Sequence, residues 1–551
     1  MVLGVLMMLT AVFGFKYLKW LNFVAVPCKV LLVVYAVVVA FQTQSFDVIT
    51  HYTPAPEKRL DFFTAIGLSI GFFSVGGVIS PDYARHATTR SAAVLGSVLG
   101  LLPAALGLAA CGAMLAIIQN TYDVVEIYSK LGMPILALSV LIIATWRQDS
   151  SLLYYSGLNQ ARLAMLLDVE TGVSQLVAEA QSDDERIWCQ HTEPEALLAA
   201  CGADGVLSPA QARARLTQLQ AQSGKLHLLP CIRASQTQWA AELTGTAELP
   251  SPSVALIRAV VHQREVKTPE ELTEIEAAVD VAAQMHDVAR AACADGVSEQ
   301  AIVRAMQGLA AQSGLRMAYP PICTREGHIL HHMSHHNSLR RGDLLLIDAG
   351  VETPLGYASD ISRTHCVDAA WTDLTRLVHD AVRAAQSAAA AGAKPGVTMA
   401  EVHRIACRSL VHSLAPLNIF RGSIDAVVDN AAYALLFPHG IGHLLGLDVH
   451  DMESLGEDLV GYDERHHRDL RFGPNHLRLG KPLREGMVIT VEPGLYGMTT
   501  LWERWRQQGL HADLIDYTAL NALASLGGVR HEDVFVVTAS GAQRLGPLAS
   551  G

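Results

Sequence analysis

The front of this chain has little charge. Residues 1–150 hold 9 of the 41 Lys and Arg and 7 of the 53 Asp and Glu, which leaves 32 and 46 for the remainder. A basic excess is missing too. The formal net charge is −12, and no cationic patch stands out to neutralise phosphates, which excludes nucleic acid as a partner. Cysteine is sparse, with nine in 551 residues and no C-x-x-C pair; such a scattered odd set excludes a disulfide scaffold and suits a reducing compartment. No charged segment precedes the first apolar run and no small-residue cleavage pattern follows it, so a signal peptide is not expected. Nor does a Pro, Ser or Gly-rich stretch near residue 155 read as a flexible tether.

Long uncharged runs fill the front instead. Residues 62–81 are uncharged for twenty positions and 91–122 for thirty-two, and Trp20–Phe41 carries only Lys29. About 20 apolar residues cross a bilayer, so these three runs predict membrane spans. The shorter runs 1–15 and 131–146 fit either further spans or buried core helices. Lys16 with Lys19, Arg85 with Arg90, and Arg147 fall in alternate loops of a five-span arrangement. The positive-inside rule places those loops, and everything after 147, in the cytoplasm. Gly76–Arg85 and Thr145–Leu158 resemble segments of cytosine-permease-like nucleobase:cation symporters. That resemblance implies a partial transporter, without the earliest helices that help form the family's substrate site.

Leu153–Gln160 also resembles an early segment of a peptidase family's amino-terminal domain, so the chain reads as a fusion at a stretch both families tolerate. Ala161–Leu167, Asp168–Gly172 and Val173–Ala178 predict strand, turn and strand. A second boundary falls near Pro250-Ser251-Pro252. Beyond it Thr268, Pro269 and Glu271 form a helix-start signature, followed by Leu272, Ile275, Val279, Ala282 and Met285 on one face. From there helices alternate with strands, as in an α+β domain.

The chemistry lies in four blocks. Leu344–Ile347 is an apolar strand ending in Asp348, and Asp360 follows across a turn containing Pro354 before a second strand, Ile361–Thr364. Two such aspartates can point at one spot, and buried carboxylates are costly without a cation. Taken alone, the pair could equally be a turn aspartate and a strand-end aspartate. Pro438–His443 and Leu444–Asp451 place His439, His443 and His450 among glycines, which implies close backbone approach. Gly486–Gly494 is a strand delivering Glu492 to a Pro-Gly stop. Gly527–Asp533 brings Arg530 and Glu532 into the strand Val534–Val537.

Together these blocks resemble the pita-bread metallopeptidases of the Xaa-Pro aminopeptidase and prolidase class over roughly 156–545. The resemblance implies a cage for two divalent ions, manganese first with cobalt or zinc as alternatives. Asp348 would hold one ion, His443 and Glu492 the other, and Asp360 and Glu532 both. His331, His439 and His450 match outer histidines that contact substrate, and Arg530 matches an arginine beside the last ligand. Arg478, fourteen residues before Glu492, falls where prolidases keep an arginine for the dipeptide carboxylate; a surface arginine is the alternative. His328, His332, His335, His336, His466, His467 and His511 match no family position and read as polar surface. Asp348 and Asp360 are twelve apart, one more than the family hairpin, and Pro354-Leu355 can absorb the difference.

The expected fold is therefore multi-domain. An α-helical transmembrane region (1–155) precedes a truncated α/β creatinase-like domain (156–255) and an α+β pita-bread catalytic domain (256–551). The expected function is hydrolysis of Xaa-Pro bonds in dipeptides or at peptide amino termini. Expected partners are proline-containing peptides, the membrane through 1–155, and a second copy through the peptidase part. The expected location is a multi-pass membrane protein with its peptidase in the cytoplasm. The alternative is a nucleobase transporter fragment carrying an inactive passenger.

Overall fold

The computed structural model describes residues 147–180, 186, 192–221, 225–246 and 249–549. The five runs expected to span a membrane lie outside these residues. Among the described residues no helix is long and apolar enough to cross a membrane, and this corrects the expected transmembrane class, membrane partner and multi-pass location. The tail of the expected membrane region shows the reason. Ser150–Ser156 (α1) is seven residues long, about 10 Å at the helical rise. Asp149 caps it by accepting from the Ser151 and Leu152 amides at 3.0 and 3.2 Å, and Gly157 ends it with φ 66°. Arg147 pairs with Glu352 at 3.3 Å, and the Ser150 hydroxyl donates to Asp448 at 2.6 Å. Polar bonds dock this segment on the body of the protein, and the helix runs across the expected boundary at 155.

A small sheet follows. β1 (Ala164–Leu167) and β2 (Ser174–Val177) form the expected hairpin, in register Ala164↔Val177 to Leu167↔Ser174. The Asp168 carboxylate closes the turn by accepting from the Glu170 and Thr171 amides. β3 (Gly205–Leu207) joins β2 in parallel. Helices α2 (Pro194–Cys201), α3 (Pro209–Ala221) and α4 (Ala234–Thr244) accompany this sheet.

The larger part begins with α5 (Val254–Arg264) and α6 (Pro269–Ala292). Thr268 and Glu271 form a reciprocal capping box at the start of α6, satisfying two otherwise orphaned amides. Ile275, Val279, Ala282 and Met285 are buried as their spacing predicts, beside α7 (Glu299–Gln312). Short strands follow: β4 (Arg316–Met317), β5 (Ile322–Thr324), β6 (Leu344–Asp348), β7 (Val351–Glu352) and β8 (Ser362–Cys366). A second helix pair, α8 (Asp373–Gly392) and α9 (Met399–Ser413), precedes β9 (Val488–Val491), β10 (Gly494–Tyr496), β11 (Gly528–Arg530), β12 (Asp533–Thr538) and β13 (Gly541–Arg544).

Two sheets organise the site. β6 lies between β5 and β8, and β12 lies between β9 and β13, with all these pairings antiparallel. Each sheet has its own helix pair, and two cores form, one around Ile275 and Met306 and the other around Val382 and Leu410, with β9 and β12 contributing to both. Leu344–Ile347 are all buried. Such side chains are worth roughly 1.5–3 kcal/mol each, which offsets the cost of a carboxylate at the strand's end. The halves are stitched by the bridge Ser362↔Glu532, and there the carboxylates converge.

Candidate metal centre

Backbone pairing aims the two aspartates. Asp348 lies opposite Ser362. The pairing continues through the Ala349 amide on the Ile361 carbonyl, Ser359 on Val351 and Thr353 on Tyr357. Asp360 is therefore the diagonal neighbour of Asp348, on the same face. The turn is closed by the Gly356 amide on the Thr353 carbonyl at 2.8 Å. Pro354-Leu355 occupies its tip, away from both carboxylates.

His443 and Glu492 are positioned by a second backbone contact. The Thr490 amide donates to the His443 carbonyl at 3.0 Å, and the Glu492 amide to the Ile441 carbonyl at 2.8 Å. This approach requires glycine at 442, where a Cβ would lie 2.0 Å from the Thr490 carbonyl oxygen. His443 Nδ1 faces the Leu444 carbonyl at 3.0 Å, so it carries the proton and Nε2 is left as a lone pair. That nitrogen lies 3.5 Å from Asp360 Oδ2 and 3.7 Å from Glu492 Oε1.

Glu532 enters from the other sheet. Its amide donates to the Ser362 carbonyl at 3.0 Å, and its Oε2 accepts from the Ser362 hydroxyl at 2.8 Å. Oε1 is buried with no hydrogen-bond partner. Asp360, His443 and Glu532 each offer one ligand atom within 4.8 Å of the others. Asp348 joins them through Tyr319, whose hydroxyl lies 2.6 Å from Asp348 Oδ1 and 2.5 Å from Asp360 Oδ1. Arg530 holds the other Asp348 oxygen at 2.5 Å, with Ser362 Oγ at 2.9 Å and the Tyr496 hydroxyl at 3.1 Å on its remaining nitrogens.

The electrostatics are those of a site built for a cation. Burial, then the neighbouring carboxylates, hold the Asp360, Glu492 and Glu532 carboxyls well above the usual range. Burial pushes the His443 imidazole down to about 4, keeping it the neutral ligand form. Four carboxylates and one imidazole, one carboxylate oxygen unpartnered, make a donor set that a divalent ion fits.

The outer residues take varied positions. His439 Nδ1 donates to the Gly440 carbonyl at 2.8 Å, so its Nε2 accepts from the Tyr496 hydroxyl at 2.7 Å. His450 packs against the His443 ring at 4.4 Å and bonds Glu453 through Nδ1 at 3.0 Å. His331 is exposed, yet its ring is partly desolvated; that desolvation, then the field of Arg530, lowers its pKa. Arg478 pairs with Glu453 and with Glu457, the latter at 3.1 Å. His332 faces Glu326, His335 the Pro321 carbonyl, His466 Asp463 and His511 Trp505, all apart from the carboxylates.

Sequence reasoning missed Tyr319, Ser362, Tyr496, Glu453 and the wholly buried Arg363. Arg363 donates to the Glu532 carbonyl and to Asp533 Oδ1, both at 2.6 Å. No spacing marks these residues; the available signal was a tyrosine before Pro320-Pro321.

Comparison with known proteins adds to this geometry. Residues 273–539 match metallopeptidase family M24, and residues 142–228 match the aminopeptidase P N-terminal domain. The second match begins at 142, which draws Thr145–Leu158 into the peptidase part rather than a transporter. The Xaa-Pro dipeptidase of Xanthomonas axonopodis pv. citri is 34% identical over 308 residues, 54% of this chain and 67% of that protein. A probable Xaa-Pro aminopeptidase of Sclerotinia sclerotiorum is 29% identical over 73% of this chain and 71% of its own length. Among solved structures, a variant of Escherichia coli aminopeptidase P in complex with substrate superposes with TM-score 0.58 at 26% identity. It covers 73% of this chain and 86% of that one.

Proposed function

The chain belongs to metallopeptidase family M24, and from that premise we infer that it cleaves Xaa-Pro bonds at a metal centre built on Asp348, Asp360, His443, Glu492 and Glu532. It is a metal-dependent Xaa-Pro peptidase, acting on dipeptides or peptide amino termini. The observations carrying the site assignment are the convergence of Asp360, His443 and Glu532 and the buried, unpartnered Glu532 Oε1.

These residues would hold divalent ions, manganese foremost and cobalt or zinc next, which when bound would supply Lewis acidity toward the scissile carbonyl and a water of lowered pKa. The protein's own groups do the rest. Arg530 balances the carboxylate charge and fixes Asp348. It also donates to the Tyr496 hydroxyl, which in turn donates to His439 Nε2. This chain of bonds keeps His439 neutral, and burial, then Arg530, push its pKa down to about 3. His450, held through Nδ1 by Glu453, and His331 are proposed to contact the substrate. Arg478 is proposed to meet a dipeptide's carboxylate, for which it must share its present contacts with Glu453 and Glu457.

The transporter alternative is not favoured, since every residue of the cage is present and the matched region is peptidase throughout. The test is release of proline from Ala-Pro and cleavage of Ala-Pro-Ala by the full chain with manganese, then with chelator. Chelator-sensitive hydrolysis is expected. Glu532→Gln is expected to weaken manganese binding and nearly abolish turnover; unchanged activity in that variant would overturn the cage assignment.

A further inference from the structure

A cleft of about 440 Å³ opens beside the centre, lined by Arg147, Asp149, Ile232, Arg233, His450 and Glu453 among others. His450 belongs both to this cleft and to the outer ring of the site, with its ring 4.4 Å from that of His443. The volume falls within the range of about 300–1,000 Å³ that small ligands occupy. One wall comes from the small leading domain and the other from the catalytic loop.

The lining charges are mostly spent. Asp149 accepts from two amides of α1 and from Gln236. Glu453 is held by Arg478 and His450. Arg147 donates to Glu352, Ser150 and the Leu447 carbonyl. Arg233 differs. Its Nη1 donates to the Arg147 carbonyl at 2.5 Å, and among the described residues it makes no ion pair. Beside it Ile232 is 55% exposed. A guanidinium without an ion pair next to an exposed aliphatic side chain, in the cleft that His450 also lines, matches an apolar residue with a free carboxylate.

We propose that this cleft binds the residue following the proline, with Ile232 against its side chain and the Arg233 guanidinium on its terminal carboxylate, so that tripeptides with a free carboxyl end are preferred substrates. The proposal rests on the peptidase reading and deepens it. Nε and Nη2 of Arg233 can grip a carboxylate by two parallel hydrogen bonds. Arg478, already shared with two glutamates, serves the shorter dipeptide less well.

The test compares Ala-Pro, Ala-Pro-Leu and Ala-Pro-Leu-amide on the full manganese-loaded chain, wild type against Arg233→Gln. The variant is expected to raise KM about tenfold for Ala-Pro-Leu alone, with kcat unchanged and the other two substrates unaffected. Arg233→Lys is expected to recover part of the loss. Calorimetric binding of Ala-Pro-Leu to chelator-treated protein reads the same contact without turnover and is expected to weaken by a similar factor. An equal change on all three substrates, or none on Ala-Pro-Leu, overturns the proposal. If the wild type hydrolyses nothing, the peptidase reading fails, and the calorimetry still decides the cleft.

Discussion

Replacing Gly442 by alanine puts the construction of the centre to a direct test. The added Cβ would lie 2.0 Å from the Thr490 carbonyl oxygen, 2.7 Å from its carbon and 3.0 Å from its hydroxyl oxygen. Two of these atoms are backbone, so no side-chain rotation relieves the contact. The His443 segment and β9 must separate, by well over 1 Å to reach ordinary contact. Both carry cage residues: His443 is next in sequence, and Glu492 lies two residues beyond Thr490. Overpacking of this kind costs about 1–3 kcal/mol of stability. A 1 Å misplacement in a catalytic arrangement costs about a hundredfold in rate, equivalent to about 2.7 kcal/mol. The expected result for Gly442→Ala is a folded protein with kcat/KM on Ala-Pro-Ala about a hundredfold lower and weakened manganese binding. Denaturant unfolding of chelator-treated protein gives the stability change separately. If turnover per folded molecule equals that of the wild type, the close approach at 442 does not position the ligands.

Other perturbations probe different layers. Tyr319→Phe removes a hydroxyl placed between Asp348 and Asp360; manganese affinity by chelator competition is expected to fall about 10–100-fold, and an unchanged affinity would show that the hydroxyl does not orient the carboxylates. Arg363→Met breaks a buried pair with Asp533 at 2.6 Å and is expected to cost about 3–5 kcal/mol in denaturant unfolding; a loss near zero would contradict it. His403 is buried against Tyr433, and burial holds its pKa at about 4 instead of 6.5. Only the unfolded chain binds this proton between those values, so stability is full above pH 6.5 and falls as pH drops toward 4, by about 3 kcal/mol from this group. The urea midpoint of His403→Gln should vary less across that window than the wild type's; an identical slope would refute the assignment.

The docking of α1 changes how the front of the described chain is understood. Ser151 in α1 accepts from the buried Arg264, whose other nitrogen meets Asp451 at 2.8 Å beside His450. Lys267 adds a second cation on Asp451 at 2.9 Å. Arg147–Ser156 is thus tied to the loop that carries an outer histidine of the site. A segment read as the end of a membrane region by motif resemblance is bonded into the peptidase.

Local pattern determined much of this protein. An apolar strand ending in a carboxylate, histidines among glycines and a glutamate before Pro-Gly are short-range signatures, and together with the family resemblance they singled out the five residues proposed for the cage, while Thr268 and Glu271 announced the α6 cap. The tertiary structure decided which groups stand around them. Tyr319 reaches Asp348 from 29 residues away and Arg363 reaches Asp533 from 170, and no local spacing encodes such meetings. It also decided that Arg478 is shared by two glutamates while Arg233 is not. For residues 147–155 a hydropathy count sees only composition, whereas the Asp149 cap and the Arg147 ion pair depend on partners supplied by the fold. Charge and burial are properties of neighbours in space, and the sequence lists neighbours only along the chain.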